Sequence, residues 1–343
     1  MSLAAPYDHP ASWDFGAHRS RARVVIGAVV VLYRPDLAPL ERLLTSLGEQ
    51  TDKVVAVDNT PGPPEKLSTF FERFSFCISY IPLGENKGIA EAQNIGIRES
   101  VSGGCSHVLL LDQDSALGPG MVSKLIAAES ELLKVGSSVA AVGPRYIDKK
   151  TGTPSYAIHR GWLLVHRSSL DPRSSEPVET DNLIASGSII RAAVLQSVGM
   201  MRDDLFIDFV DTEWGLRARS KGYKSYCVPD AMMAHSTGDA AIKLFGKEIY
   251  VHSDLRRYYK LRNAMYLLRL PSMGWQWRGY TLRWIPYYLL LNLWTSNHKL
   301  RNARFLLKAL WDGLLGRLGP AQVRLETLGL SGDKSSLSFG EGR

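Results

Sequence analysis

Residues 108–116 read VLLLDQDSA, an apolar run that stops at two carboxylates, Asp112 and Asp114, one residue apart. Like charges that close repel and raise each other's pKa unless a cation or hydrogen-bond donors lie between them. The end of this strand therefore serves something outside it. Three similar runs precede it: VVIGAVVVLY (24–33), KVVAVDN (53–59) and FCISYI (76–81), with helices expected to begin near Asp36, Pro64, Lys87 and Pro119. Unbroken rather than alternating apolar runs belong to strands covered on both faces, hence parallel strands joined by right-handed crossovers. This is half of a doubly wound α/β fold. Ligands in such folds gather at the carboxyl ends of the strands, which puts Asp58-Asn59 and Asp112-Gln113-Asp114 in one crevice.

The middle section, about 142–230, mixes short strand candidates (YAIHRGWLLVH, 156–166; NLIASGSII, 182–190) with helices near 191–198 and 211–221. The second helix has acids in its first turn, Arg217, Arg219 and Lys221 in its last, and Gly222 as its C-terminal cap. Beyond Asp254 the chain reads as helical, aromatic and basic to about Gly319, and a polar tail follows from Ser331.

With 343 residues, 45% hydrophobic and 22% charged, the composition excludes wholesale disorder and an all-membrane chain. A net charge of +7 favours anionic partners such as nucleotides, phospholipid headgroups or nucleic acid. Cys77, Cys105 and Cys227 are widely spaced and form no CxxC, so a zinc site is not indicated and a reducing compartment is expected. The N-terminus, MSLAAPYDHPASWDFGAHRSRAR, lacks a continuous apolar segment and reads as a flexible arm rather than a signal peptide. The cytoplasm is the expected location.

Asp112 and Asp114 suit a hard divalent cation, Mg²⁺ or Mn²⁺, although a solvated turn has the same pattern. NKGIAEAQNIGI (86–97) sets Gly88, Ala92 and Gly96 on one helical face; Lys87 at its start could meet phosphate, and Asn94 has no apolar role there. Tight helix packing is the alternative. FIDFVDTEW (206–214) holds Asp208, Asp211 and Glu213, of which one could be a general base while the others complement the helix dipole. His235, in DAMMAHSTGD, is either a satisfied core histidine or a ligand in a cation's shell. In YYKLRNAMY (258–266), Arg262 could hold a diphosphate oxygen or be a surface arginine.

In this order, VVVLYRP, Asp58-Asn59, NKGIAEAQNIGI, LLLDQDS, FVDTEWGLRA and a later histidine resemble a family 2 inverting glycosyltransferase of the GT-A fold over about residues 24–240. DQDS, FIDFVDTEWGLRA, YYKLRN and LWDGLLGRLG together are most similar to the bacterial dTDP-L-rhamnose-dependent rhamnosyltransferases and extend the match to about residue 319. The resemblance implies an α/β GT-A domain, a Rossmann-like nucleotide-binding half with a mixed sheet, plus a C-terminal α-helical extension. The division expected is an arm at 1–22, a catalytic domain at 23–250 (nucleotide-sugar half 23–115, acceptor half 116–250), helices at 251–320 and a tail at 321–343.

The roles implied by the resemblance fall on named residues. Tyr33, Asp58 and Asn59 would meet the nucleobase and ribose, and Lys87, Gly88 and Asn94 would line the cleft. Asp112 with Gln113 would face the ribose or a metal-bound water. Asp114, with Asp112 and His235, would bind Mg²⁺ or Mn²⁺, and Arg262 the diphosphate. Asp211 would be the catalytic base, with Glu213 and Trp214 on the acceptor side. Val210 stands where many members carry Glu, so one carboxylate is available at that point, and no Q-x-x-R-W of processive synthases is present.

The activity implied is transfer of L-rhamnose from dTDP-L-rhamnose to a hydroxyl of a lipid-linked or cell-surface glycan. Another donor such as UDP-galactofuranose is the alternative. A nucleotidyltransferase would need a Gly-rich loop after the first strand, which VVLYRPD does not offer, and a non-enzymatic nucleic-acid or membrane module would not explain the acids. No nucleic-acid partner is expected. LRWIPYYLLLNLW (282–294) is interrupted by Arg283, Pro286 and Asn292 and falls short of the ~20 residues of a span. With its basic flanks, 275–316 suits a helix lying on anionic lipid at the cytoplasmic face of the inner membrane. Packing in a homo-oligomer is the alternative.

Overall fold

The computed structural model describes residues 23–62, 67–162, 164–235, 240–244, 247–251, 253–295 and 299–321. The expected arm at 1–22, the helix start at Pro64 and all but the first residue of the tail lie outside the described residues. In chain order the first half runs β1 (Ile26–Leu32), α1 (Leu37–Gly48), β2 (Lys53–Asp58), α2 (Leu67–Phe71), β3 (Ile78–Pro82), α3 (Ile89–Ser102) and β4 (His107–Asp112). The order β3-β2-β1-β4 is parallel throughout, as the unbroken apolar runs require.

Both faces of these strands are covered. Ala28, Val30 and Leu32 pack with Leu40, Leu43, Leu44 and Leu47 of α1, whose i, i+3, i+4, i+7 spacing makes one buried stripe. Val29 faces the other way, against Ala90 and Ile97 of α3. Here Gly96 is a packing residue: a Cβ on it would lie 2.3 Å from a Val29 methyl.

The sheet then becomes mixed. β5 (Ala116–Leu117), α4 (Met121–Lys134), β6 (Val139–Asp148), β7 (Tyr156–Arg160), β8 (Val165–Ser169), β9 (Val178–Thr180), β10 (Ile189–Arg191), α5 (Ala192–Val198), α6 (Val210–Ser220) and β11 (Lys224–His235) follow. β10 inserts antiparallel between β4 and β6, and β11 runs parallel to β6. Nine described strands form this sheet; β7 and β8 form a separate hairpin, as do β12 (Ala240–Leu244) and β13 (Lys247–Val251). Of NLIASGSII only the end is strand, Ile189 and Ile190 of β10; residues 182–188 are loop and turn.

Three helices close the described chain: α7 (Asp254–Leu267), α8 (Gly274–Thr295) and α9 (Lys299–Leu315). α7 and α9 cross closely at Gly313, where a Cβ would lie 2.3 Å from the Arg262 carbonyl. Buried Asp312 ties the pair, accepting from the Tyr258 hydroxyl at 2.6 Å and pairing with Lys308.

Candidate active site

Parallel pairing aligns the strand ends. Leu32 of β1 is level with Asp58 of β2, and Val31 with Asp112 of β4, so Tyr33, Asp58 and Asp112 share the carboxyl edge of the sheet. Gln113 fixes Tyr33 at both main-chain groups, accepting from its N–H at 2.7 Å and donating to its carbonyl at 3.2 Å. Asp58 is buried and accepts from the Thr60 N–H and the Tyr80 hydroxyl. Burial, reinforced by the Asp58 carboxylate, pushes the Tyr80 phenol well above its usual range, so it remains a donor. Each Asp58 oxygen still has a second lone pair for a ligand donor.

The loop before α3 is arranged differently from expectation. The Asn59 side chain accepts from Lys87 N–H and donates to the Asn86 side chain, which in turn accepts from Gly88 N–H. Ile89 N–H is bonded to the Phe206 carbonyl at 2.8 Å. The amides at the start of α3 are therefore occupied, and they form no phosphate cradle. Lys87 Nζ pairs with Glu85 at 3.3 Å, and Gly88, at φ 86°, is the point where Phe206 approaches too closely for any Cβ. Asn94 is buried and pins Met201 through both main-chain groups at 2.9 Å, so it is a strut and not a cleft residue.

Asp112, Asp114 and His235 do converge. His235 ends β11, with Nε2 3.6 Å from Asp112 and Nδ1 3.8 Å from Asp114. Its ring is buried edge-on against Tyr146, and Nδ1 has no hydrogen-bond partner. Burial raises the Asp112 carboxyl above its ordinary value; His235 pulls it down, Asp114 pushes it up and Arg256 pulls it down. Among the described residues no three acids, cysteines or histidines are gathered closely enough to hold a metal ion as they stand. Two carboxylates and an imidazole with an unpartnered buried nitrogen nonetheless make an open-sided donor set whose chemistry fits Mg²⁺ or Mn²⁺. Buried polar atoms are normally partnered, so the orphaned Nδ1 is the observation that favours a ligand there.

Asp211 lies in the first turn of α6. It accepts from the Thr212 N–H at 2.7 Å and from the Thr212 hydroxyl at 3.3 Å. Burial raises its carboxyl above the usual range, against the lowering effect of the Thr212 and Ala185 amides, and Asp208 adds to the rise. Such a shift brings a carboxylate closer to the pKa useful in a general base. Asp211 does not cap the helix. The cap is Phe209, a left-handed residue without a side-chain cap bond.

Three further expectations are corrected. Glu213 is buried in a two-pronged ion pair with Arg217, at 2.9 and 3.0 Å, and Trp214 is buried with Nε1 on the Gly199 carbonyl; neither faces an acceptor. Arg262 is fully buried, donating to the carbonyls of Gly319 and Leu205, so it binds protein main chain rather than a diphosphate. A cation closer to the carboxylates is Arg256, six residues earlier on α7. It pairs with Asp208 at 3.3 Å and is near enough to Asp112 to lower its pKa.

Residues 28–199 match the family described as Glycosyl transferase family 2. The chain is also 38% identical over 250 residues, 71% of its length and 80% of the relative's, to the dTDP-rhamnosyl transferase RfbF of Shigella flexneri. This chain is a family 2 glycosyltransferase. Its fold is shared with GalNAc-T7, solved with UDP, GalNAc and Mn²⁺, at TM-score 0.57 and 15% identity over 93% of this chain. The transferase spans 59% of the length of that protein. S. aureus TarS 1–349 in complex with UDP-GlcNAc gives TM-score 0.52 and 15% identity, covering 85% of this chain and 82% of that one. In the transferase the sheet edge of β1, β2 and β4 thus carries the GT-A half expected from the sequence, and the helical region follows it.

Proposed function

We propose that this transferase moves L-rhamnose from dTDP-L-rhamnose to a hydroxyl of a lipid-linked glycan, in a single inverting displacement. The observation that supports it best is the separation of duties in the crevice. Asp112, Asp114, His235 and Arg256 gather where a diphosphate would lie, while Asp211 stands apart on α6. The dTDP-rhamnose donor rests on the 38% identity to RfbF.

In this reading Asp211 accepts the proton of the acceptor hydroxyl as that oxygen attacks the anomeric carbon and the bond to the diphosphate breaks. Arg256, oriented by Asp208, neutralises charge on the departing diphosphate. Asp112, Asp114 and His235 would hold Mg²⁺ or Mn²⁺, which when bound supplies further charge neutralisation there. Tyr33, fixed by Gln113, and Asp58 would border the base and ribose, with Asn59 holding the Lys87 loop beside them. The proposed division keeps 23–115 as the donor half, 116–250 as the acceptor half and 251–320 as the helical extension.

We place the protein in the cytoplasm, on the inner face of an anionic membrane. None of the described helices is long and apolar enough to cross a membrane. α9 exposes Leu300, Leu307, Trp311 and Leu314 on one face with Arg301 and Arg304 beside them, and α8 exposes Leu290 and Trp294. Apolar and aromatic side chains with a basic border suit a lipid headgroup layer.

Calorimetric titration of dTDP, UDP and GDP, each with Mn²⁺ and with EDTA, tests the donor. Metal-dependent binding that favours dTDP is expected. A preference for UDP would keep the glycosyltransferase and discard rhamnose.

A further inference from the structure

The segment leading into α6 has an unusual backbone. Phe206, Asp208 and Phe209 all have positive φ, at 68°, 63° and 65°, and none is glycine. L-residues enter this region only when their surroundings force them to. The force comes from α7. Asn263 is fully buried and its amide donates to three carbonyls of the turn: Leu205 at 3.1 Å, Ile207 at 2.8 Å and Asp208 at 2.9 Å. Its own oxygen accepts from Arg262 Nε at 2.9 Å, which fixes the direction of the amide. The Phe206 ring stacks on Tyr259 with centroids 4.9 Å apart.

We propose that Asn263 is a positioning residue for the transfer reaction, holding the left-handed turn so that Asp211 points into the crevice. The body of α6 does not depend on it. Arg217 donates to the carbonyls of Val198 and Met200, and Trp214 to that of Gly199, so the helix stays docked when the turn is loosened. What a loosened turn changes is the conformation of Phe209, the residue from which the helix starts, and with it the direction of Asp211 two residues later. A side-chain amide clamp on three main-chain carbonyls is therefore placed where a small rotation would misdirect the base, and a misplacement on the order of 1 Å can cost roughly 100-fold in rate.

This inference rests on Asp211 being the base, and the test separates the two. Asn263→Ala, Asp211→Asn and the double variant are compared in transfer kinetics, nucleotide binding and thermal melting, with Arg217→Met as a variant that loosens α6 away from the turn. Asn263→Ala is expected to lower kcat roughly 10- to 100-fold, with nucleotide Kd within about twofold. In the Asp211→Asn background the same substitution is expected to leave the residual rate unchanged while still lowering the melting temperature. Arg217→Met is expected to lower the melting temperature with kcat retained.

A kcat for Asn263→Ala within twofold of wild type, or an equal loss in both backgrounds, overturns the positioning role. If Asp211→Asn alone keeps full activity, the base assignment falls first and the positioning role with it. Should Asn263→Ala not fold, Asn263→Ser, which keeps one donor, is carried through the same cycle with the same criteria.

Discussion

Replacing Asp211 with Asn separates the base from everything else the residue does. The substitution preserves shape, and the Asn oxygen can still accept the 2.7 Å bond from Thr212 N–H. What disappears is the capacity to take a proton. General-base catalysis contributes typically about 10²–10⁴-fold, which corresponds to about 2.7–5.4 kcal/mol at 1.36 kcal/mol per tenfold. The loss belongs in kcat, with the Kd for the donor nucleotide unchanged. Because burial raises the carboxyl above its usual value, wild-type kcat should have an acidic limb above the ordinary aspartate range, and Asp211→Asn should lack it. Stability moves the opposite way. With the folded pKa above the unfolded value of about 3.9, the folded state binds more protons between the two, and this group's contribution is lost as pH rises through that window. Asp211→Asn should therefore be no less stable than wild type at pH 7, relative to their difference at low pH. Transfer rates at saturating donor and acceptor from pH 4.5 to 9, with melting curves alongside, measure both; residual kcat above a tenth of wild type would refute the assignment.

Other perturbations read other parts of the molecule. Arg256→Gln removes a charged donor worth about 1.5–3 kcal/mol, so dTDP should bind roughly 10- to 100-fold more weakly by calorimetry while thymidine is unaffected; equal losses for both would show that Arg256 does not meet the diphosphate. Asp114→Asn should weaken dTDP binding in Mn²⁺ yet strengthen it in EDTA, and weakening under both conditions would contradict the cation role. Gly96→Val forces a side chain into the Val29 contact and should lower stability by about 1–3 kcal/mol in urea titrations, with the kcat of the folded fraction retained. Leu307→Glu with Trp311→Glu, both on the exposed face of α9, should abolish sedimentation with anionic phosphatidylglycerol vesicles and spare transfer to a soluble acceptor. Retained sedimentation would leave the membrane contact without support and turn attention to a second copy of the chain.

The parallel half was legible because its strands are covered on both faces, which leaves unbroken apolar runs of a kind few other environments tolerate. β10 was much less so. It has three residues, Ile189–Arg191, inside a longer apolar stretch, and only its partners on either side make it a strand. The two carboxylates after β4 were legible because charge at the end of a buried strand has no packing purpose. The arginine was misplaced, although the sequence held the signal. Arg262 has Tyr258, Tyr259, Met265 and Tyr266 at i−4, i−3, i+3 and i+4, so it lies on the apolar face of its helix, where a guanidinium must find carbonyls inside the protein. Arg256 lies six residues earlier, on a different face. Asn94 misled for a related reason: a polar side chain without an apolar role suggests a ligand, but main-chain groups of a distant loop, here Met201, need partners as much as ligands do. The left-handed turn at 206–209 gave no warning, since Phe, Asp and Phe are not residues chosen for positive φ; tertiary contacts from Asn263 impose it.

The balance of charge explains why a cation belongs in the proposal. Asp208 already occupies Arg256 in part, and Asp112 and Asp114 lie on either side of His235. A diphosphate bound in the proposed site would meet two carboxylates, with Arg256 shared with Asp208, the His235 imidazole, and Lys149, whose Nζ donates to the Asp114 carbonyl at 2.6 Å. At an effective dielectric of about 20, each like-charge pair 4 Å apart costs about 4 kcal/mol. Repulsion of this order between the carboxylates and the phosphates would oppose nucleotide binding in the proposed site, and a cation there would offset it. A divalent ion reverses each of those signs, because carboxylates and phosphates become ligands of the same centre. In the proposed site the carboxylates would repel the nucleotide alone and hold it once the ion is present, which predicts opposite effects of Asp114→Asn with and without Mn²⁺. Asp211 lies on a separate helix, in the first turn of α6, so the proposed base would remain free to take a proton with an ion bound between the carboxylates.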